Sequence, residues 1–477
     1  MIPTRPTEPA SPSPSVRARR LPSRVTAARA IDVAEAFRDL PGLALLESAR
    51  PGRNARWTYL TADPVAVLET PAAGADPFAV TRRLLARLDP SRLDDPDAPP
   101  FLGGLVGFLG YDLGHALERL PSIALDDQGL PPMRLALHDW VIAWDRRTGV
   151  AWLAGRAVDG DVRGLARRLD DVHARLTMPA VPQPATDQDD DRRLRFRSGL
   201  SQAEYEAGVE TVRRHIATGD IYQANLTRRL ETPFGGDPWA RYRRLRTGDP
   251  SLFSAYLDLG PSPETGRPRA VLSASPEPFL SLDPNGVVAT DPIKGTRRRG
   301  RDRAEDRALA CELLTSAKDR AENVMIVDVL RNDLGRVCVP GTVRVPRLCR
   351  LERTAAVQHL VSTVTGRLTP GRDPFDLLGA SFPGGSITGA PKIRAMEILE
   401  RLEPVRRGPY TGALGWIGPD GSMQTSILIR TFVADGRRLT LHVGGGITWG
   451  SDPRAEWEET VAKAHGPLSA IGGEEIS

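Results

Sequence analysis

Lysine is rare in this 477-residue chain, although positively charged residues are common. Lysine and arginine together number 64, yet lysine occurs only at positions 294, 318, 392 and 463. An arginine guanidinium stays protonated in proteins, whereas a desolvated lysine can lose its proton and become a nucleophile. Codon usage alone can produce an excess of arginine, so the exceptions are more informative than the excess.

Cysteine is scarce, and long apolar runs and a strong net charge are absent. Three cysteines without a Cys-x-x-Cys pair argue against a disulfide scaffold and favour a reducing cytoplasm. No apolar run approaches the length that crosses a bilayer, so no membrane partner is expected. The net charge of +4 is small for this length, so no nucleic-acid partner is expected.

Composition divides the chain into four parts. Residues 1–24 are rich in proline, serine and arginine and are predicted to be a disordered tail. An N-terminal subdomain is predicted over 25–178, a linker over 179–197 and a catalytic domain over 198–470. Many strand-like runs with several helical ones predict a mixed α/β fold dominated by antiparallel sheet.

Local patterns predict the elements of the catalytic half. One long helix is predicted over 303–331, and a last helix is predicted to begin at Pro453. One strand is predicted over 423–433. Another, over 440–443, enters the glycine triplet 444–446, for which a tight turn is the usual explanation.

The stretch 290–296 holds Lys294 and is the first candidate for chemistry. Pro292 stiffens the approach to the lysine, and Gly295 leaves room for a ligand beside the backbone. A lysine in an ordinary strand-to-loop turn would explain the same residues, and this stretch alone does not separate the two explanations.

Two helices carry acidic residues at spacings that place them on one face. Asp319 and Glu322 are three residues apart, and Glu456, Glu459 and Lys463 follow one another at i, i+3 and i+7. A solvated helix face explains either set alone. Together they can supply the oxygen ligands that Mg²⁺ prefers.

Groups that bind anions lie in the same half of the chain. The triplet 444–446 offers backbone N–H groups without side chains, Arg430 can fork onto a carboxylate, and Lys463 adds a point charge. The spacing of the glycines over 384–389 resembles a phosphate loop. Pro391 lacks the N–H group that such a loop needs and no Lys-Ser/Thr follows, so a nucleotide site is rejected.

Three longer motifs are specific: FPGGSITGAPK over 382–392, RNDLG over 331–335 and GGGI over 444–447. Together they resemble the chorismate-utilising enzymes, densely over about residues 200–465 and more loosely before them. The resemblance implies two large antiparallel β-sheets packed as a sandwich and flanked by helices, with the active site between them.

Within that family, the stretch 292–296 resembles the branch that forms 4-amino-4-deoxychorismate. The anthranilate-forming and isochorismate-forming branches usually carry alanine where this chain has Lys294. The resemblance therefore implies chorismate and ammonia as substrates, Mg²⁺ as cofactor, and a product used for 4-aminobenzoate and folate. Anthranilate formation and a catalytically silent chorismate-binding paralogue are the alternatives.

The resemblance also implies roles by position. Glu277 is the general acid that helps the ring hydroxyl depart, and Lys294 adds covalently to the ring before ammonia replaces it. Arg297 is a candidate for the cation that keeps this amine neutral. The implied metal ligands are Glu322 and Glu456, with Asp319 and Glu459 nearby. The implied substrate contacts are Gly295, Thr296, His359, Tyr410, Arg430, Gly444, Gly445, Gly446 and Lys463.

Two further expectations concern a regulator and a partner. The segment 45–48 (LLES), which ends at Ser48, resembles the tryptophan pocket of the family, with Phe253 and Ser254 on its other side. Whether tryptophan binds, regulates or only fills space is left open. No amidotransferase domain is expected in the chain, and the resemblance implies a separate glutamine amidotransferase subunit.

Overall fold

Two β-sheets, of thirteen and ten strands, form the centre of the computed structural model, which describes residues 15–52, 55–72, 74, 76–177, 193–354 and 357–476. The strands are β1 (Val16–Arg20), β2 (Ala44–Glu47), β3 (Trp57–Thr61), β4 (Ala66–Leu68), β5 (Gly104–Leu109), β6 (Met133–His138), β7 (Trp140–Asp145), β8 (Val150–Arg156), β9 (Leu194–Ser198), β10 (Gln223–Pro233), β11 (Phe253–Pro261), β12 (Pro268–Ser275), β13 (Pro278–Leu282), β14 (Val287–Thr290), β15 (Ile293–Arg298), β16 (Arg344–Arg353), β17 (Val357–Arg367), β18 (Gly389–Ala390), β19 (Ala413–Ile417), β20 (Met423–Ile427), β21 (Thr431–Ala434), β22 (Arg438–Ile447) and β23 (Gly473–Ile476).

Helices flank these sheets and close the ends of several strands. They are α1 (Ser23–Ala27), α2 (Ala30–Ala34), α3 (Ala79–Leu85), α4 (Gly114–Leu117), α5 (Val162–Thr177), α6 (Gln202–Ala217), α7 (Pro238–Gly248), α8 (Arg303–Thr315), α9 (Ala317–Gly335), α10 (Pro374–Ser381), α11 (Lys392–Leu402) and α12 (Pro453–Ala470), with short 3₁₀ turns at Glu35–Phe37, Tyr111–Leu113 and Gly385–Ile387. None of the helices in the described ranges is both long and apolar enough to cross a membrane.

Among the named strands of the described residues, every pair is antiparallel except that β23 runs parallel to β9. The large sheet has the order β1-β8-β7-β3-β2-β11-β12-β21-β22-β10-β9-β23, with β18 paired to β10. The small sheet has the order β15-β17-β14-β13-β20-β19-β5-β6-β4, with β16 paired to β17. The predicted two-sheet antiparallel fold is confirmed.

A shared hydrophobic core joins the two sheets. Tyr59 and Val141 from the large sheet and Phe108 and Trp416 from the small sheet belong to one buried cluster. Each such side chain that is fully removed from water contributes about 1.5–3 kcal/mol to folding. Three further buried clusters of the described residues lie where helices pack against the sheets.

The N-terminal and catalytic parts of the chain build both sheets together. The β2 strand lies beside β11, and β5 lies beside β19. The predicted disordered tail is wrong from Val16 onward, because β1 pairs with β8 and Val16 is buried. A five-residue strand needs only an unpaired sheet edge, which the composition of residues 1–24 cannot show; residues 1–14 lie outside the described ranges.

The linker predicted over 179–197 ends earlier than predicted. Residues 178–192 lie outside the described ranges, but Leu194–Ser198 forms β9 between β10 and β23. The strand is not predicted from its sequence, because that sequence is rich in arginine and Phe196 is its only fully buried residue.

Three predicted elements of the catalytic half are corrected. The helix predicted over 303–331 is two helices, because Ser316 ends α8 and caps α9 by accepting a hydrogen bond from the Asp319 amide at 3.2 Å. The strand predicted over 423–433 is β20 and β21 in different sheets, and the chain crosses between them through Arg430 at φ 50°. The glycine triplet 444–446 continues β22 instead of forming a turn.

Candidate active site

Lys294 lies at an irregularity in the edge strand β15. Lys294 pairs with Leu360 and Thr296 pairs with His359, so Gly295 is an extra residue in the register. Gly295 has φ 76°, a conformation that glycine adopts without strain. The Lys294 ammonium group donates a hydrogen bond to the carbonyl oxygen of Ser386 at 2.9 Å, so the bulge directs the lysine toward the loop of the FPGGSITGAPK motif.

The surroundings of Lys294 lower the pKa of its side chain. Burial lowers the pKa of Lys294, and the nearby Lys463 lowers it further. Glu277, Glu322 and Glu459 act in the opposite direction without cancelling the effect. The prediction that Arg297 supplies the cation near Lys294 is wrong, because its guanidinium contacts Glu312 at 2.7 Å and Asp319 at 3.0 Å.

Glu277 faces Lys294 from the turn between β12 and β13. Only 7% of Glu277 is exposed, and burial raises the pKa of its carboxyl group above the usual range. Lys294 and hydrogen bonds from Ser386 and the Ile293 backbone partly offset this rise. A buried carboxyl that retains its proton can donate it to a departing oxygen.

Acidic side chains from α9 and α12 meet beside this pair. Burial raises the pKa of both Glu322 and Glu456, and Glu456 accepts a hydrogen bond from the Ser451 hydroxyl at 2.6 Å. Burial also acts to raise the pKa of Glu459, but the lysines around it, Lys463 first, bring it below the usual range. Glu459 interacts electrostatically with both Glu322 and Glu456.

The carboxylates fit a hydrated Mg²⁺ better than a closed protein cage. Within the described ranges, no three His, Cys, Asp or Glu side chains converge as a ligand set. Asp319 is turned away to Arg297, at 3.0 Å, and Glu459 contacts Lys463 at 2.6 Å. Glu322 and Glu456 form no ion pair with the described residues, and Mg²⁺ is commonly held by one or two carboxylates together with waters and substrate.

The cationic and glycine residues border the acidic group. The Lys463 ammonium group donates a hydrogen bond to the carbonyl oxygen of Gly444 at 2.8 Å. A Cβ atom on Gly445 would lie 3.0 Å from a Glu456 carboxylate oxygen, so glycine lets α12 approach β22 closely. These contacts bring the predicted glycine triplet, lysine and carboxylates into one site.

His359 and Arg430 belong to a neighbouring group. His359 Nδ1 lies 2.9 Å from the Thr296 hydroxyl oxygen, and burial with Arg50 and Arg430 nearby lowers the pKa of His359 to about 4. The imidazole is therefore neutral at physiological pH. Arg430 is 44% exposed and lies 3.5 Å from Asp249, so its guanidinium is only partly engaged.

Sequence comparison decides the family. A profile that describes chorismate binding enzymes matches residues 44–469. The chain belongs to the chorismate-binding enzyme family. The site therefore belongs to a chorismate-utilising enzyme, as the three motifs indicated.

Two branches of this family are equally similar to the chain. Aminodeoxychorismate synthase component 1 of Salmonella typhimurium is 41% identical over 423 residues, which cover 86% of this chain and 88% of that protein. Anthranilate synthase component 1 of Streptomyces coelicolor is 41% identical over 438 residues, which cover 90% of this chain and 83% of that protein. Overall identity does not separate the two activities.

Solved structures of family members share the fold. Anthranilate synthase component I from Streptococcus pneumoniae superposes with a TM-score of 0.76 at 31% identity, covering 88% of this chain and 93% of that chain. The menaquinone-specific isochorismate synthase of Escherichia coli gives a TM-score of 0.72 at 19% identity, covering 96% of this chain and 95% of that chain. At 19% identity, the comparison with the isochorismate synthase shows only that the two proteins share a fold.

The predicted tryptophan pocket of this chorismate-binding enzyme is small. Ser48, Phe253 and Ser254 line one cavity of about 40 Å³, together with Trp57 and Trp416. A cavity of that size holds about one or two waters. The structure therefore brings the predicted residues together, and the binding of tryptophan stays a prediction.

The contacts of Lys318 and Lys392 are not predicted from the sequence, although the scarcity of lysine draws attention to both residues. Lys318 adds a positive charge near Glu322, Glu456 and Glu459. Lys392 donates a hydrogen bond to Asp333 at 2.8 Å and so joins two of the family motifs. Within the described residues, every lysine therefore contacts or faces a functional motif.

Tyr410 lies deeper than the other predicted substrate contacts. It is buried and stacks on the imidazole of His442, with ring centroids 5.0 Å apart. His442 carried no predicted role because only its pairing in β22, opposite Arg229, places it under Tyr410.

Proposed function

We propose that this chain replaces the ring hydroxyl of chorismate with ammonia and forms 4-amino-4-deoxychorismate. The observation that carries the proposal is the environment of Lys294, a lysine with a lowered pKa beside a buried carboxyl group with a raised one. Anthranilate-forming relatives are implied to carry alanine there, and alanine has no nucleophile.

The reaction divides into two steps that the two side chains can serve. The neutral Lys294 amine forms a bond to the far end of the conjugated ring system, the double bond shifts, and the hydroxyl leaves as water with the proton of Glu277. Ammonia then bonds to the carbon that lost the hydroxyl, the double bond shifts back, and the lysine is released. Glu277 recovers a proton from the incoming ammonia.

The remaining groups have supporting roles in this proposal. Chorismate is a dianion, so Arg430 and Lys463 supply complementary charge for its carboxylates, with Tyr410 and the backbone of 444–446 beside them. Thr296 and the neutral His359 would contact the ring. Mg²⁺ held near Glu322, Glu456 and Glu459 would supply positive charge for a substrate carboxylate when bound.

A partner subunit would supply ammonia in the cell. The relatives are named as component 1 of their enzymes, which supports a second component. We propose that the partner is a glutamine amidotransferase and that the product serves 4-aminobenzoate and folate synthesis. The three cysteines are free, which supports a reducing cytoplasm as the location.

Product analysis tests the proposal directly. Purified chain with chorismate, Mg²⁺ and excess ammonium should yield 4-amino-4-deoxychorismate, and should use glutamine only after the partner is added. Anthranilate with pyruvate would instead support the second candidate, which the 41% identity to anthranilate synthase component 1 of Streptomyces coelicolor keeps open. No product at all would identify a silent paralogue.

Substitution of Lys294 separates a covalent role from a purely electrostatic one. Lys294→Ala should lose most aminodeoxychorismate formation, with leftover activity shifted toward anthranilate, and Lys294→Arg should not restore the rate. Intact-mass spectrometry with chorismate and no ammonia should show an adduct on the unmodified chain. Lys318→Ala, a neighbouring exposed lysine, should keep that adduct. Wild-type rates in Lys294→Arg would contradict the covalent role.

A further inference from the structure

Arg407 lies between α11 and β19 and is only 2% exposed. Its guanidinium donates two hydrogen bonds to the Glu403 carboxylate, at 2.8 and 2.7 Å. It donates three more, to the carbonyl oxygens of Asn225 at 2.6 Å and Ile387 at 3.0 Å and to the hydroxyl oxygen of Thr411 at 3.3 Å. A guanidinium carries five N–H donors, and these five hydrogen bonds match that number.

Arg407 keeps its charge in this buried position. Burial acts to lower the pKa of Arg407, but the adjacent Glu403 carboxylate more than offsets that effect, so the pKa lies above its usual range. Glu403 is itself 8% exposed and accepts two further hydrogen bonds, from the backbone amide of Thr227 at 3.0 Å and from its hydroxyl at 2.9 Å. The guanidinium also lies over the ring of Tyr111, 4.4 Å from the centroid.

Stability alone does not explain this buried ion pair. Replacing such a pair with apolar residues of similar volume is often neutral or stabilising, because the cost of desolvating two charges offsets their attraction. An arginine differs from an apolar side chain in having a rigid planar fork, which holds several acceptors in one relative geometry. The acceptors of Arg407 therefore indicate what it does.

The first acceptor belongs to the loop that faces the reacting pair, Lys294 and Glu277. Ile387 follows Ser386, whose carbonyl oxygen accepts the hydrogen bond from Lys294 at 2.9 Å. The side chain of Ser386 also hydrogen-bonds to Glu277. Arg407 holds the next carbonyl group along the chain, so a shift of this loop would displace a contact of both reacting residues at once.

The other two acceptors lie beside residues that have substrate roles in the proposed function. Thr411 follows Tyr410, and its hydroxyl also donates a hydrogen bond to the Tyr410 carbonyl oxygen at 2.6 Å. Asn225 lies on β10 opposite Gly446 of the glycine triplet. One guanidinium thus fastens the loop 382–392, the Tyr410 turn and β10 to one another.

We infer that Arg407 is a positioning residue, which keeps Ser386 in contact with both members of the reacting pair and keeps Tyr410 at the substrate. The inference rests on the proposed amination and adds a residue to which no role is assigned above. Arg407 acts through these neighbours, because its five hydrogen bonds all go to groups of the chain itself.

Replacing Arg407 by lysine tests this role. Arg407→Lys keeps a positive charge for Glu403, but an ammonium group has three donors and no planar fork, so it cannot hold all the acceptors. The kcat for aminodeoxychorismate should fall about 10²-fold, as a misplacement of about 1 Å can cause, while the KM for ammonium stays within about twofold. Arg406→Lys is the matched control and should keep kcat, because Arg406 contacts only the exposed Asp126 and Ser122 with its guanidinium.

The reactivity of Lys294 supplies a readout that needs no turnover. Lys294 is partly exposed, so a small reagent such as acetic anhydride can reach it. Without the Ser386 carbonyl oxygen as a fixed acceptor, the protonated amine loses a stabilising contact. At neutral pH, Lys294 in Arg407→Lys should therefore be acetylated several-fold faster relative to Lys318 of the same sample.

Peptide mass spectrometry measures this acetylation ratio in folded protein, at a temperature well below the Tm of each variant. If Arg407 only stabilises the fold, Arg407→Lys will lower the Tm and leave both the ratio and kcat unchanged, and that result would overturn the inference. If the unmodified chain forms no aminated product, the proposed function fails, whereas the ratio still decides whether Arg407 positions Lys294.

A milder variant keeps the inference testable if Arg407→Lys does not fold. Thr411→Val retains the shape of the side chain and removes only the hydroxyl between Arg407 and Tyr410. It should raise the KM for chorismate about fivefold, the effect of one lost hydrogen bond, with little change in kcat. An unchanged KM for chorismate would overturn the positioning of Tyr410 through Arg407.

Discussion

Glu277 and Lys294 form a pair in which burial opposes both charges. Burial raises the pKa of Glu277 and lowers the pKa of Lys294. The charge of each residue acts against the shift of the other. Burial therefore brings the two pKa values closer together, so the neutral pair of a protonated acid and a free amine is less disfavoured than it would be in water. That form is the one that covalent attack and departure of the hydroxyl require.

The turnover rate should consequently depend on pH with a maximum. At low pH Lys294 gains a proton and loses its nucleophilic lone pair, and at high pH Glu277 loses the proton it must donate. The two limbs report apparent pKa values of the pair and not of either residue. The measurement is kcat against pH with free ammonia held saturating, and a rate that continued to rise through alkaline pH would contradict the acid role of Glu277.

Replacing Glu277 by glutamine should separate catalysis from stability. Without the acid, kcat should fall by about 10²–10⁴-fold. Because the folded-state pKa of Glu277 is raised, its contribution to stability is lost as pH rises through that pKa. The Tm of Glu277→Gln relative to the unmodified chain should therefore be higher at pH 8 than at pH 4. A large loss of Tm at pH 8 would show that the carboxylate is needed for folding.

At the scale of single elements, the bulge in β15 connects backbone conformation to chemistry. In Gly295→Ala the new Cβ atom would lie 3.0 Å from both Asp319 and Leu313, at a residue with φ 76°. We expect a loss of about 1–3 kcal/mol in the free energy of unfolding and a larger loss of turnover as Lys294 shifts. Urea unfolding and product assays measure the two effects.

A second glycine supplies the control for that experiment. Gly421 has φ 85°, and no atom lies within 4 Å of the position that a Cβ atom would occupy, so Gly421→Ala adds backbone strain without a clash. It should lose stability modestly and keep full activity. Equal effects in the two variants would mean that the contact between β15 and α9 does not position the lysine.

The acidic faces of α9 and α12 give a prediction about Mg²⁺. Glu322→Gln and Glu456→Gln should each raise the Mg²⁺ concentration needed for half-maximal turnover, and chelator should abolish the activity of the unmodified chain reversibly. Asp319→Asn should have a smaller effect, because Arg297 already engages Asp319. A rise of Tm on addition of Mg²⁺, lost in Glu322→Gln, supplies a readout without substrate.

The matched control for the metal is Glu312→Gln. Glu312 also contacts Arg297 but has no interaction with the other predicted ligands among the described residues. This variant should require the same Mg²⁺ concentration as the unmodified chain. Full turnover in excess chelator would remove the metal from the proposed function.

At the scale of the whole molecule, both sheets depend on the N-terminal part. Residues 198–477 expressed alone would leave β11 without β2 and β19 without β5, and would lose Tyr59 and Phe108 from the core between the sheets. Exposed strand edges and missing apolar contacts favour aggregation. Size-exclusion chromatography should show aggregates for this fragment and a soluble complex when residues 1–197 are co-expressed. A monomeric fragment with cooperative unfolding would contradict this view.

The sequence by itself determined the family, the antiparallel sheet class and the residue types of the site. Motifs such as 382–392 and the rare lysines are local signals, because a required conformation or charge needs a particular side chain at a particular position. The same is true of Ser201 and Glu204, whose spacing of three residues is typical of the capping box that begins α6.

Only the tertiary structure decided which of these residues act together. Asp319 shares a helix face with Glu322, yet Arg297 from a different strand engages it. The glycines 444–446 look like a turn in isolation, but pairing with β10 draws them into a strand. Val16–Arg20 gains its order from the unpaired edge of β8. In each case the partner is distant along the chain, so its contribution to the free energy is absent from any local pattern.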